Sequence, residues 1–370
     1  MKRIFTFIAV VLLCILLIGG IVVVARNNSE EPTESGQSSG NLGEEDIAGS
    51  SDAFLDSDNS TSDGEEDGFS GNTKEDFESS DTTSGGNEED EPQAPIDYSA
   101  YIADGVTMNP GAAVYLGDDQ GATLRFTGYV STEMKRAVDS GKAELAFLVA
   151  PIDYFDGVNP ENHLYKDWVT EFEKANQTVL YTVVSEDNYQ PSGDEYIVAF
   201  QLRNIMYKNI NRKYVCLLAL KTSEGYRYSS YLEDVDYRTA ARSMSYVVAV
   251  SLNAYALGLE DFTKDEVARL KGYINQSVDY ANGKETATDD GSMYAFTTNI
   301  SASQIMQVDE MFTLITTVIP DVEIPVWYQS TDESIIRVDD YGNVTAVGKG
   351  TAVVGVYVAG ESFGITVTVI

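Results

Sequence analysis

The stretch DDYGNVTAVGKGTAVVGV, Asp339 to Val356, decides the fold of the C-terminal part of the chain. Gly342-Asn343 and Gly348-Lys349-Gly350 are turn chemistry, because glycine reaches positive φ without steric cost. Between the turns Val344 and Ala346 point one way. After them Ala352, Val354, Val356 and Val358 share a face, and Phe363, Ile365, Val367 and Val369 repeat the pattern. Thr351, Thr366 and Thr368 take the opposite face. One apolar face and one wet face is the pattern of a strand in a two-sheet sandwich. Upstream, NGKETATDDGS at Asn282 to Ser292 reads as a linker, with its body at 283–292. The last domain is therefore 293–370. Its pattern is complete within those residues, which predicts that it folds alone.

The region 98–282 carries a different pattern. Short alternating runs follow one another: AAVYL, ATLRFTGYV, AELAFLVAP, TVLYTVV, EYIVAFQLRNI, KYVCLLALKT and YRYSSYL. In EYIVAFQL, Tyr196, Val198, Phe200 and Leu202 share one face, the period of a half-buried strand. Short helices are expected at Thr132 to Ser140 and near Leu164 to Ala175. From Arg238 to Leu257 the period changes to three- and four-residue steps, through Ala240, Met244, Val247, Val248, Leu252 and Tyr255. Thr263-Lys264-Asp265-Glu266 is a capping box that opens a second helix to about Ala281. The expectation is a β-sandwich closed by a helical hairpin.

The N-terminal quarter does not fold by such rules. Met1, Lys2 and Arg3 precede 22 uncharged residues, Ile4 to Ala25. As a helix, that run is about 33 Å long, enough to cross a bilayer. Positive residues in front predict a stub inside at 1–3 and everything after residue 25 outside. A cleaved signal peptide is the main competitor, since Val23-Val24-Ala25 is a tolerable cleavage site, but the apolar run exceeds the usual length. A lipoprotein fits less well, because Leu13 precedes Cys14. Residues 26–97 are rich in Ser, Gly, Asp and Glu and read as a solvated, disordered stalk. From Asn27 to Asp97 there are 22 acidic residues and one lysine, so most of the chain's net charge of −35 sits there. Such acidity leaves no basic footprint for nucleic acid.

Catalytic constellations are scarce. The chain has a single histidine, His163, and two cysteines, Cys14 and Cys216, which excludes a disulfide framework and most metal and triad chemistry. Gly360-Glu361-Ser362-Phe363-Gly364 spells the nucleophile-elbow motif, but strands flank it where a helix must follow, so it reads as a hairpin turn. DYFDGVN, Asp153 to Asn159, lacks the spacing of a calcium loop and reads as a polar loop. A metal held by His163 with Asp153 and Asp156 is a weaker reading. No catalytic, cofactor or metal residue is assigned, and the chain is not read as an enzyme. The tyrosines Tyr226, Tyr228, Tyr231 and Tyr237 form the densest aromatic set. Aromatic faces stack on apolar sugar faces while hydroxyls bond to polar edges. Tyr231 and Tyr237 are therefore the candidate glycan contacts, expected to be exposed, with one of Tyr226 and Tyr228 in the core.

Two resemblances sharpen these readings. Residues 301–370 resemble the bacterial Ig-like group 2 family, BIG2. The match runs through Leu314, the VIP at Val318 to Pro320, Trp327 with Ser330 and Asp332, IIRVDDYGNVTAVGKGTAVV at Ile335 to Val354, and the closing ITVTV. Asp309-Glu310 stands where the family usually has glycine, and Tyr328-Gln329 where it has serines. The resemblance implies an exposed module of invasin- or intimin-like surface proteins, serving adhesion or acting as a rigid spacer, with Trp327 as a core anchor. Residues 105–257 resemble a β-rich domain of clostridial surface and secreted proteins, through GAAVYL, LRFTGYV, LAFLVAP, LRNIMYKNINRKY and RSMSYVVAVSL. Together they imply a Gram-positive surface protein, which the apolar run makes single-pass in the cell membrane through 4–25. Its expected partners are a cell-wall or host glycan, or a surface protein.

Overall fold

The computed structural model describes residues 101–117, 121–158, 167–287, 294–300 and 302–370. The predicted anchor at 4–25, the stalk at 26–97, His163 and residues 288–292 of the linker lie outside the described residues. In chain order the first folded part contains β1 (Ile102–Met108), β2 (Ala113–Leu116), β3 (Ala122–Ser131), α1 (Thr132–Asp139), β4 (Glu144–Pro151), α2 (Ile152–Val158) and α3 (Trp168–Lys174). It continues with β5 (Leu180–Val183), β6 (Gln190–Ser192), β7 (Glu195–Leu202), β8 (Tyr214–Thr222), β9 (Gly225–Tyr231), α4 (Tyr237–Ala240), α5 (Met244–Ala256) and α6 (Lys264–Ala281).

The expected two-sheet sandwich of 98–282 is corrected in one respect: its strands form one continuous sheet. The order is β5-β4-β8-β9-β1-β3-β7-β6, with β2 also paired to β3. Four strands separate β4 from β7, yet the rings of Phe147 and Phe200 lie 5.5 Å apart. The sheet must therefore curl until its two halves face each other. Strong strand twist makes such curling the usual fate of a wide sheet. Met108, Leu124, Phe126, Leu145, Phe147 and Leu218 fill the inside. The outside of β4, β8 and β9 is also apolar, because α2, α3 and α4 cover it with Phe155, Trp168, Phe172 and Tyr237.

The helices follow their local signals. α6 starts at the capping box: Glu266 donates its amide to the Thr263 hydroxyl, and Thr263 donates its amide to the Glu266 carboxylate. The single helix expected over Arg238 to Leu257 is instead two. Arg242 and Tyr214 exchange backbone hydrogen bonds, N to O at 2.9 and 3.1 Å, and that pairing takes 242 out of helical conformation. Ser243 then caps α5 by accepting from the Tyr246 amide. α5 is buried almost all round, the mark of a helix inside a structure. It packs on β2 and β3 on one side and on the terminal domain on the other. The polar loop expected at Asp153 to Asn159 is mostly α2, with Phe155 buried beneath it.

The terminal domain contains β10 (Ala295–Thr298), β11 (Ser303–Met306), β12 (Met311–Thr313), β13 (Thr316–Ile319), β14 (Val326–Ser330), β15 (Ile336–Val338), β16 (Asn343–Ala346), β17 (Gly350–Val358) and β18 (Glu361–Val369). One sheet runs β11-β18-β17-β14 and the other β12-β16-β15, with β10 and β13 as a separate pair. Val344, Ala346, Ala352, Val354, Val356, Val358, Ile365, Val367 and Val369 are all buried, as their alternation requires. Phe363 is half-buried, against Phe296 at 5.4 Å.

Candidate functional site

The tyrosine set is mostly interior. Tyr231 is 5% exposed and Tyr237 2%, which overturns the expectation that one of them offers an open ring face. The Tyr231 hydroxyl donates to the Cys216 carbonyl at 2.9 Å. Tyr237 packs against Phe155 and Trp168, and its hydroxyl donates to Asp156 Oδ1 at 3.1 Å. Tyr228 is wholly buried, as expected of one of the first pair. Its hydroxyl accepts from the Val169 amide and donates to Asp167. Burial pushes that hydroxyl's pKa far up. Tyr226 is half-buried, edge-on to Tyr181. The shared reason is chemical: each buried hydroxyl finds an internal acceptor, so the ring goes inside without an unsatisfied polar group.

The acids considered for a metal are likewise engaged. Asp153 accepts a two-pronged bond from Arg212, and Asp156 serves Tyr237 and Arg238. Among the described residues no group of three or more His, Cys, Asp or Glu side chains could hold a metal ion.

Trp327 is the second correction. On β14 the core-facing residues are Val326 and Tyr328, opposite Val358 and Val356. The Tyr328 hydroxyl donates to Thr316 Oγ1 at 3.0 Å, which lets that ring point inward. Trp327 alternates to the outer face, half-buried, opposite Tyr357. Trp327→Ala should therefore cost about 1–2 kcal/mol in urea unfolding of the full chain, short of the ~3–5 kcal/mol of an enclosed tryptophan. A loss in the upper range would return the indole to the core.

The outer face around Trp327 has a uniform chemistry. Register places Trp327, Tyr357 and Ser362 in one row and Gln329, Gly355 and Gly364 in the next. Val353, Thr366 and Ser303 follow, then Thr351, Thr368 and Ile305. No residue in these rows is charged, although the chain carries −35. At Gly355 an added Cβ would lie 2.9 Å from Tyr357 Cε2 and 3.0 Å from its hydroxyl. The tip of the Tyr357 ring thus passes close over Gly355, where any side chain would be in its way.

This face is held in a fixed place by the junction between the two folded parts. Asn253, in the last turn of α5, is fully buried. Its Nδ2 donates to the Pro325 carbonyl at 3.0 Å, and its Oδ1 accepts from the Gly360 amide at 3.0 Å. Gly360 has φ +84° in the β17–β18 hairpin, and an added Cβ would sit 3.1 Å from Leu252 Cβ. The motif at 360–364 is thus a hairpin turn, as expected, and the turn is seated on α5. Lys271–Glu361 and Lys213–Glu323 span the same junction at 2.7 and 2.8 Å. These pairs are partly exposed and contribute little each. Sequence reasoning passed over Asn253, although one amide inside VVAVSLNAYAL is a signal for a buried polar contact.

No family model matches the chain, and no curated protein matches it. Among solved structures, an intimin mutant of EHEC O157:H7 is 20% identical over 21% of this chain, with TM-score 0.17; the match takes in 46% of the intimin chain, less than half its length. The tandem Ig repeats of Dlar are 6% identical over 72% of this chain and 96% of theirs, with TM-score 0.15. HBP35 of Porphyromonas gingivalis is 11% identical over 72% and 62%, with TM-score 0.17.

Proposed function

We propose that the chain is a bacterial cell-surface protein that displays its terminal sandwich for adhesion or as a structural module. The observation that carries this reading is the junction at Asn253. A mobile tether has no use for a buried, doubly bonded amide between its domains. A head that must present one face in one orientation does. In this reading residues 4–25 anchor the chain in the cell membrane, with the N-terminus inside. Residues 26–97 are an acidic spacer whose contour reaches at most ~240 Å, and like charges keep it extended. The terminal domain is of the BIG2 type, on the residues that resemble that family.

The test is surface access. The full chain is expressed in a Gram-positive host, and intact cells are stained with an antibody against the terminal domain, then treated with protease. Staining should be strong, and protease should release the head while an N-terminal fragment stays in the membrane fraction. Staining only after lysis would sink the reading. A membrane-fraction chain beginning at Arg26 would remove the anchor.

A further inference from the structure

We propose that the outer face of the β11-β18-β17-β14 sheet binds an uncharged pyranose polymer, with Tyr357 as the stacking platform. The inference rests on the display reading, which places this face outside the cell. Three observations carry it. First, the Tyr357 ring lies on Gly355 with no side chain between it and the backbone. Tyr357 and Trp327 are both partly exposed on this face. A ring already confined over Gly355 loses little freedom when a sugar stacks on it. Second, Trp327 stands beside it on the neighbouring strand, one strand spacing of about 4.8 Å away. Two aromatic side chains at that separation offer a broad apolar strip. Gln329 and Ser362, exposed beside them, supply an amide and a hydroxyl that both donate and accept, as sugar hydroxyls require.

Third, the charge pattern selects the ligand. The face has no charge while the chain as a whole carries −35. An anionic polymer would be repelled on approach, since the surrounding potential is negative. A basic protein would be drawn to the acidic surfaces elsewhere and would find no partner here. A neutral glycan meets neither difficulty.

The experiment titrates the full chain, held in a detergent without a sugar headgroup, with cellohexaose, β-1,4-mannohexaose and N-acetylchitohexaose; hexagalacturonate is the anionic control. Trp168 is fully enclosed, so a change in tryptophan fluorescence reports on Trp327. At least one neutral oligosaccharide should give a saturable signal, and hexagalacturonate none. Tyr357→Ala should weaken binding about tenfold or more while Tm stays close to that of the parent. Ser362→Glu, which removes no packing atom, should weaken it as well, so the outcome does not hang on one variant. The proposal is overturned if no neutral oligosaccharide binds, if both variants bind as the parent does, or if hexagalacturonate binds equally. Cells that stay adhesive in a Tyr357-dependent way without binding any of these sugars would refute the glycan and leave the display reading standing.

Discussion

Replacing Trp168 by alanine is expected to cost ~3–5 kcal/mol, the range for deleting a fully buried aromatic side chain. Trp168 is 0% exposed. Its indole meets Phe155 edge-on at 4.8 Å, Tyr237 edge-on at 5.5 Å and Phe172 in a stack at 6.0 Å. These rings come from α2, α3 and α4, so the indole is what the three short helices share. None of them is long enough to hold its shape without packing. The residue just before it adds a second role. The Asp167 side chain caps α3 through the Thr170 amide and hydroxyl, and it also accepts from Tyr228 on β9. Removing the indole therefore leaves a large hole and loosens the seat of that network against the sheet. Urea unfolding followed by near-ultraviolet circular dichroism should show the loss, with Trp168→Phe roughly half as costly. A loss under about 1.5 kcal/mol for alanine would mean that the helices repack around the gap.

The strands of both folded parts are legible in the chain because alternation and turn residues agree. All seven runs read from 98–282 form strands, and the alternating positions Val344, Ala346, Ala352, Val354, Val356, Val358, Ile365, Val367 and Val369 are core. What alternation does not carry is pairing. β4 and β8 are apolar on both faces, so their pattern cannot say whether the second layer is another sheet, the same sheet curled over, or helices. Here it is the last two at once. β1, with its pattern interrupted at Asp104-Gly105, shows no clean period; its parallel pairing to β9, with a register shift between Ile102 and Thr107, explains why. The site was harder still. Val326-Trp327-Tyr328 is apolar on both faces, and the decision between them rests on a partner 12 residues away, the Thr316 hydroxyl that accepts from Tyr328. The same holds for Tyr231 and Tyr237, whose acceptors Cys216 and Asp156 are distant in sequence. A tyrosine of this kind can be placed only once the acceptor of its hydroxyl is known.

The joint between the folded parts yields the second large effect. Asn253→Ala should cost about 2–5 kcal/mol, because it strands two groups, the Gly360 N–H and the Pro325 C=O, each worth roughly 1–3 kcal/mol when buried and unpaired. Asn253→Asp should be no better. A carboxylate can still accept from Gly360 at 3.0 Å, but it cannot donate to Pro325, and it brings a charge into a site with no exposure. The loss should be local in a telling way. The sandwich keeps its own core, since its buried valines face one another within 293–370, and the expectation that this domain folds alone predicts that it survives the loosening. In the parent, α5 ties both parts into one packed core, and unfolding should be a single transition. In the alanine variant two transitions should appear. Hydrogen exchange at the Gly360 amide should also accelerate, because its only described acceptor is gone. A Gly360 amide as protected in Asn253→Ala as in the parent, with a stability change under about 1 kcal/mol, would show that the hairpin is held without the amide, by its contact with Leu252 and the Lys271–Glu361 pair. The distinction bears on display, because an apolar contact lets the hairpin slide on α5, whereas the amide bonded at both ends fixes how the uncharged face is turned.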